Sequence, residues 1–116
     1  MKRRALFIVT SDPRQTGRVA EAVRIAAGVG AWPQVEVTLY LHGDAVLALG
    51  EDAEDLIDGD NFIRYLPMLA EGGRVILVQQ GVAVAFSPAD AAPLVEFIDD
   101  TQLAVRMAAS HCVLRF

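Results

Sequence analysis

The sequence predicts an α/β domain with a mainly parallel five-stranded sheet. Three observations lead there. Five short apolar runs alternate with stretches of helical periodicity. The clearest of these runs are continuously apolar rather than alternating, as strands covered on both faces are. Apolar residues make up 53% of the chain and aromatics only 7%, so the bulk comes from Ala, Val, Leu and Ile, the usual filling of a sheet wrapped by helices. With 116 residues the chain reads as one domain, 1–116, without repeats, low-complexity segments or a linker.

Ala5 to Thr10 makes the first strand. Asp12-Pro13-Arg14-Gln15 reads as a helix start, with Asp12 as N-cap, Pro13 in the first turn and Gln15 three residues after the cap. Val19, Ala22, Val23, Ala26 and Ala27 follow at helical spacing, and Gly28 and Gly30 end the element. Val35 to Leu41, rich in β-branched and aromatic residues, is the second strand. His42-Gly43-Asp44 turns the chain and Ala45 to Leu49 forms one or two helical turns. Glu51 to Asp60 carries six acids in ten residues. It reads as a solvated loop or helix rim, because its spacing lacks the alternate ligands around a glycine that a calcium loop requires.

Asp60 caps a helix through Glu71, with Phe62, Leu66 and Leu69 on one side and Gly72-Gly73 closing it. Arg74 to Val78 is the third strand. Val82 to Phe86 starts a short helix, Ser87-Pro88-Ala89-Asp90 is a cap-like turn, and Pro93 argues against one long helix across it. Leu94 to Ile98 is the fourth strand. Asp99-Asp100-Thr101 caps a helix through Ala109, with Leu103 and Met107 around it, and Cys112 to Phe116 is the last strand.

Ten basic residues against fifteen acidic give a net charge of −5, which argues against a general nucleic-acid binder and disfavours an anionic membrane surface. No apolar stretch approaches the ~18 residues of a membrane span. Lys2-Arg3-Arg4 precedes an apolar run too short for a secretion signal, with no small-residue cleavage site, so the expected location is the cytoplasm. Cys112 is the only cysteine; it leaves no internal disulfide and no cysteine-based zinc site, and no metal or cofactor is expected.

In open α/β sheets ligands sit at the carboxyl ends of the strands. Four loops qualify: Ser11 to Gln15, His42 to Asp44, Gln79 to Gly81, and Asp99 to Thr101. None contains a G-x-G-x-x-G or Walker loop, so nucleotide binding has no motif behind it.

The succession resembles the DsrE/DsrF/DsrH superfamily of small sulfur-relay proteins. The likeness is carried by Leu6-Phe7-Ile8-Val9-Thr10-Ser11 with the following helix, by Glu36-Val37-Thr38-Leu39-Tyr40-Leu41-His42-Gly43-Asp44, and above all by Leu69-Ala70-Glu71-Gly72-Gly73-Arg74-Val75-Ile76-Leu77-Val78-Gln79-Gln80-Gly81-Val82. The tail of this last stretch is similar to the DsrH-type strand end, where Asp-Gly-Val or a close variant follows the strand. The C-terminal helix and Val113-Leu114-Arg115-Phe116 extend the match over essentially the whole chain. The resemblance implies an α/β/α sandwich that assembles as a homo-oligomer, a trimer or hexamer, or as a hetero-oligomer with DsrE-like subunits. Sulfur-carrying members place a cysteine just after the third strand. Here Gln79 occupies that place, and an amide cannot attack, hold and release sulfane sulfur as a thiolate does.

Each candidate residue has a plainer reading beside the functional one. Cys112 is a relocated sulfur carrier or, more in keeping with free cysteines, a small buried hydrophobe of the last strand. His111 and Cys112, adjacent on a strand, point to opposite faces. His42 is a pocket-lining acid/base or an exposed turn histidine. Gln79 and Gln80 either bind a polar ligand, together with Ser11 and His42, or satisfy backbone groups of neighbouring loops. Arg14 and Arg18 meet an anion or form a solvated helix face. Asp12, Asp44 and Asp99 act as general acid/base groups only if their loops converge. Trp32 and Phe116 are interface anchors or core residues. The leading expectation is a non-catalytic DsrE-superfamily protein acting as an oligomeric or accessory subunit. The alternatives are a sulfur transferase using Cys112 and a small-ligand-binding module.

Overall fold

The computed structural model describes residues 2–50, 52–71, 76–81 and 95–116. Its strands are β1 (Arg3–Val9), β2 (Val35–Leu41), β3 (Ile76–Gln79), β4 (Val95–Ile98) and β5 (Cys112–Arg115), and its helices are α1 (Arg18–Gly30), α2 (Asp60–Glu71) and α3 (Asp100–Ala109). The strands form one sheet in the order β4-β3-β2-β1-β5, every neighbouring pair parallel. The expected α/β architecture is therefore observed, with the sheet wholly parallel.

The order explains the layers. A parallel crossover has a fixed hand, so its helix falls on one face when the chain steps one way across the sheet and on the other face when it steps back. From β1 to β3 the chain steps in one direction, and α1 and α2 lie together on the first face. From β4 to β5 it returns, and α3 lies on the second. The first face holds the larger core: Phe7, Val9, Val37, Leu39, Leu41, Ile76 and Val78 meet Val19, Ala22, Val23 and Ala26 of α1 and Phe62 and Leu69 of α2. The second holds Leu6, Ile8, Tyr40, Leu77 and Ile98, against which Leu103 and Met107 of α3 are only partly buried. Among the described residues, no helix is long and apolar enough to cross a membrane.

The first helix starts later than expected. Asp12 is not its cap: the Asp12 carboxylate accepts the Arg14 backbone N–H at 2.9 Å, and its carbonyl accepts from Gln15 and Thr16. A short acidic side chain that captures a nearby amide forms a turn in competition with a helix. Residues 12–17 are turn-like, Pro13 is buried, and α1 begins at Arg18 after Gly17, which supplies no side-chain cap. Arg14 accordingly lies off the helix and Arg18 is its first, exposed residue. Asp60 likewise is the first residue of α2 rather than its cap, and Pro67 is accommodated inside that helix. Asp99 does cap α3: its side chain accepts from the Gln102 N–H at 2.8 Å while the Gln102 side chain accepts from the Asp99 N–H at 2.9 Å, a reciprocal capping box.

The acidic run folds back onto the start of α1. Ala53–Asp55 is one 3₁₀ turn, the Ile57 N–H donates to the Pro13 carbonyl, and Asp58 takes a left-handed backbone with φ 54. Next to it Gly59 is buried, and a Cβ there would run into the Glu54 and Ala53 carbonyl oxygens. Of the two readings of Phe116 the structure takes the core one, since it stacks on Phe7 with ring centroids 5.7 Å apart, whereas Trp32 is 66% exposed. The expected features at Gly72-Gly73, Arg74, Val75, Val82 to Phe86, Ser87 to Asp90, Pro93 and Leu94 lie outside the described residues.

Gly59→Ala is expected to cost about 2 kcal/mol or more, since backbone rather than a movable side chain blocks the added methyl. Asp99→Ala is expected to cost about 1 kcal/mol through loss of the cap. Urea denaturation of both variants reads these losses directly.

Candidate functional site

Parallel pairing brings the carboxyl ends of all five strands to one edge of the sheet. The loops stand there in strand order: 99–101 after β4, 79–81 after β3, 42–44 after β2, 11–15 after β1, and Phe116 after β5. Hydrogen bonds lace neighbours together. The Gly43 N–H donates to Gln79 Oε1 at 2.9 Å, the His42 N–H to the Val9 carbonyl at 3.0 Å, and the Gln80 N–H to the Ile98 carbonyl at 2.9 Å. The Thr10 and Ser11 N–H groups both donate to the Phe116 carbonyl. Gly43 has φ +59, a left-handed backbone that glycine adopts freely, and this turn presents its amide to Gln79.

Gln79 thus spends its side-chain oxygen on a neighbouring loop, the plainer of its two readings. Gln80 is exposed, Ser11 and His42 are half-buried, and the His42 ring lies 6.1 Å from that of Tyr40. Ser11, His42, Gln79 and Gln80 therefore all stand along the carboxyl edge. The carboxylates divide. Asp12 and Asp44 both approach Arg14, at 2.9 and 3.7 Å, so the guanidinium bridges the loops after β1 and β2. Its hydrogen bonds hold the Asp12 carboxyl below the ordinary carboxylate range and push the Arg14 pKa upward. Asp99 stays apart as the α3 cap. The three acids do not form one acid/base group.

Cys112 is found elsewhere. It opens β5, opposite Ala5 near the start of β1, so it lies at the amino edge of the sheet, and its thiol is exposed. The expectation of a buried core cysteine is overturned: β5 is an edge strand of the sheet, and of its four residues only Val113 is even half-buried. His111 is pinned beside it, accepting the Arg4 N–H through Nδ1 at 2.9 Å and donating its own backbone N–H to the Arg4 carbonyl. Among the described residues no group of three or more His, Cys, Asp or Glu is placed to hold a metal ion.

Tyr40 is the residue that sequence reasoning passed over. It is 1% exposed, and among the described residues its buried hydroxyl has no hydrogen-bond partner. Burial first, and the Asp100 charge second, push its pKa above the ordinary phenol value. The available signal was its spacing: two residues before His42 on an apolar strand, hence on the same face. That spacing looks no different from an ordinary core aromatic.

No protein-family model and no curated protein sequence matches the chain. Its fold is similar to the crystal structure of the YchN protein from E. coli, with a TM-score of 0.75 at 18% sequence identity, covering 100% of both chains. YchN has the DsrE-like fold. At this identity the likeness carries the architecture: the five-stranded parallel sheet with its helices is a DsrE-like arrangement.

The unpartnered hydroxyl yields two expectations. Tyr40→Phe removes a buried polar atom without removing ring packing, so stability is expected to hold or rise by up to about 1 kcal/mol in urea melts. Because the folded-state pKa of Tyr40 is raised, the protein below about pH 10 retains this group's full contribution and loses it as pH climbs through the folded value. Thermal melts should therefore fall more steeply above about pH 10 in the native protein than in Tyr40→Phe.

Proposed function

We propose that this chain is a non-catalytic member of the DsrE-like proteins, acting as a homo-oligomer or as an accessory subunit beside a cysteine-bearing DsrE-like partner in a sulfur relay. The observation that carries this reading is the role of Gln79. At the end of β3, where the resemblance expects a sulfur-carrying cysteine, the side chain is an amide engaged by the Gly43 N–H. The sole thiol of the sequence stands at the opposite edge of the sheet. A persulfide relay needs a thiolate that attacks and is attacked in turn, and the amide replaces that chemistry with a hydrogen bond between loops.

A second reading, a small-ligand module at the same edge, draws support from the His42 ring, 6.1 Å from the ring of Tyr40. It calls for a thermal-shift screen, in which any stabilising ligand should act on Cys112→Ser as on the native protein and lose its effect in His42→Ala.

Native mass spectrometry after incubation with a persulfide donor separates the readings. The expected spectrum is a multimer with no added sulfur. One added sulfur per chain, lost in Cys112→Ser, would make the exposed Cys112 the carrier and overturn the non-catalytic reading. A monomer at all concentrations would remove the homo-oligomer and leave the accessory subunit, to be tested by mixing with a cysteine-bearing DsrE-like protein.

A further inference from the structure

Away from the carboxyl edge, and among the described residues, the second face of the sheet is open at its amino end. β2 is the central strand, and a central strand of a parallel sheet is ordinarily covered on both faces. Its first-face residues are half-buried at Val35 and buried at Val37, Leu39 and Leu41. On the second face Tyr40 is buried, Thr38 is half-buried and Glu36 is exposed, so cover is lost along the strand toward its start. The C-terminal end of α3 overhangs this opening, leaving a notch of about 240 Å³ lined by Arg4, Glu36, Thr38, Arg106 and Ser110 among others. That volume is below the ~300–1,000 Å³ of pockets for drug-sized ligands, which restricts the occupant to a small molecule.

The donors and acceptors of the notch are largely unspent. Arg4 Nε stands 3.8 Å from Glu36 and Arg106 3.7 Å from Glu96, close enough to orient each guanidinium and too far for a hydrogen bond. The Ser110 hydroxyl donates to the Arg106 carbonyl at 2.7 Å and keeps its lone pairs. Arg4 and Glu36 sit level with each other on adjacent strands, as do Leu6 and Thr38.

The charges set the class of ligand. Two guanidiniums favour a carboxylate, which a single Arg can hold in a bidentate fork. A bare anion would also face Glu36 and the negative end of the α3 dipole. A cationic group on the same ligand turns both of these into attractions. We infer that the notch between α3 and the amino ends of β1 and β2 binds a small zwitterionic α-amino acid, its carboxylate on Arg4 and Arg106 and its ammonium toward Glu36 and the α3 C-terminus. The site is independent of the sulfur-relay reading and shares no residue with the carboxyl edge.

Titration of the isotope-labelled protein with L-alanine, followed by amide chemical shifts, tests it. Saturable shifts are expected at Thr38, Arg106 and Ser110. Acetate and methylammonium, which carry one charge each, should bind at least tenfold more weakly. Arg4→Gln and Arg106→Gln should each weaken alanine binding tenfold or more, while Arg24→Gln on α1 leaves it unchanged. Both notch arginines are exposed, so the folded spectrum should survive either change, and the two single-charge ligands test the native protein alone. Absence of saturable shifts, acetate binding as well as alanine, or native affinity in Arg106→Gln would overturn the assignment and reduce the notch to two solvated ion pairs.

Discussion

Parallel pairing on β1 is the constraint from which the remaining geometry follows. β1 pairs with β2 on one side and β5 on the other, and Leu6, Phe7, Ile8 and Val9 are all buried. Phe7 and Val9 belong to the first-face core, Leu6 and Ile8 to the second. One strand thus serves both cores, each fully buried aliphatic or aromatic side chain contributing about 1.5–3 kcal/mol. Because every partner runs in the same direction, the strand ends cannot mix: all carboxyl ends form one rim and all amino ends the other. The loops at the carboxyl rim are then near enough to be joined by hydrogen bonds, of which the Gly43–Gln79 bond is, among the described residues, the one that uses a side chain.

That segregation also sorts the chemistry. The carboxyl rim carries amides, a hydroxyl, an imidazole and a neutralised Arg14 with its two carboxylates. The thiol is at the other rim, on an outer strand. Sulfur transfer by way of the sheet's usual crevice would have to bring Cys112 across the length of β5, which hydrogen bonding to β1 prevents. A partner's thiol has no such obstacle, which is why the accessory-subunit reading and the position of Gln79 belong together.

What the sequence disclosed depended on whether a signal was local. Val35 to Leu41 appears as a strand with the bounds expected, because β-branched and aromatic density is a property of the segment itself. The cap of α3 at Asp99 was legible for the same reason, since Asp99-Asp100-Thr101 stands directly before the helix; its reciprocal bond with Gln102 was added by the structure. Asp12 failed as a cap since two local signals competed, and the Asx-type bond to Arg14 won over the helix start. Cys112 failed for a different reason. Its exposure depends on strand order, which places β5 at the sheet's edge; the same order sets Phe116 over Phe7 and so decides between its two readings, and no spacing in one sequence encodes it. The four loops of the carboxyl edge were identifiable from alternation alone, but the bonds between them were not. Nor was the amino-end notch, whose residues come from β1, β2 and α3.

β2 draws these threads together, since its even-numbered residues mark how cover changes along the second face. Glu36 is exposed, Thr38 half-buried, Tyr40 buried and His42 half-buried again. Their first-face counterparts change less, from half-buried Val35 to buried Val37, Leu39 and Leu41. The difference comes from the helices. α1 and α2 cover the first face as a pair, whereas α3 contributes no buried residue, and its closest apolar contacts, Leu103 and Met107, are only partly enclosed. Among the described residues α3 alone packs on the second face, and one shallowly seated helix cannot shield a strand of this length evenly. Polar side chains are therefore admitted where it lifts away, at the notch, and a phenol is trapped without a partner where the cover is tightest. The alternation Val35-Glu36-Val37-Thr38 is the trace in the sequence of that one-sided cover, and it gives way to Leu39-Tyr40-Leu41 where both faces close.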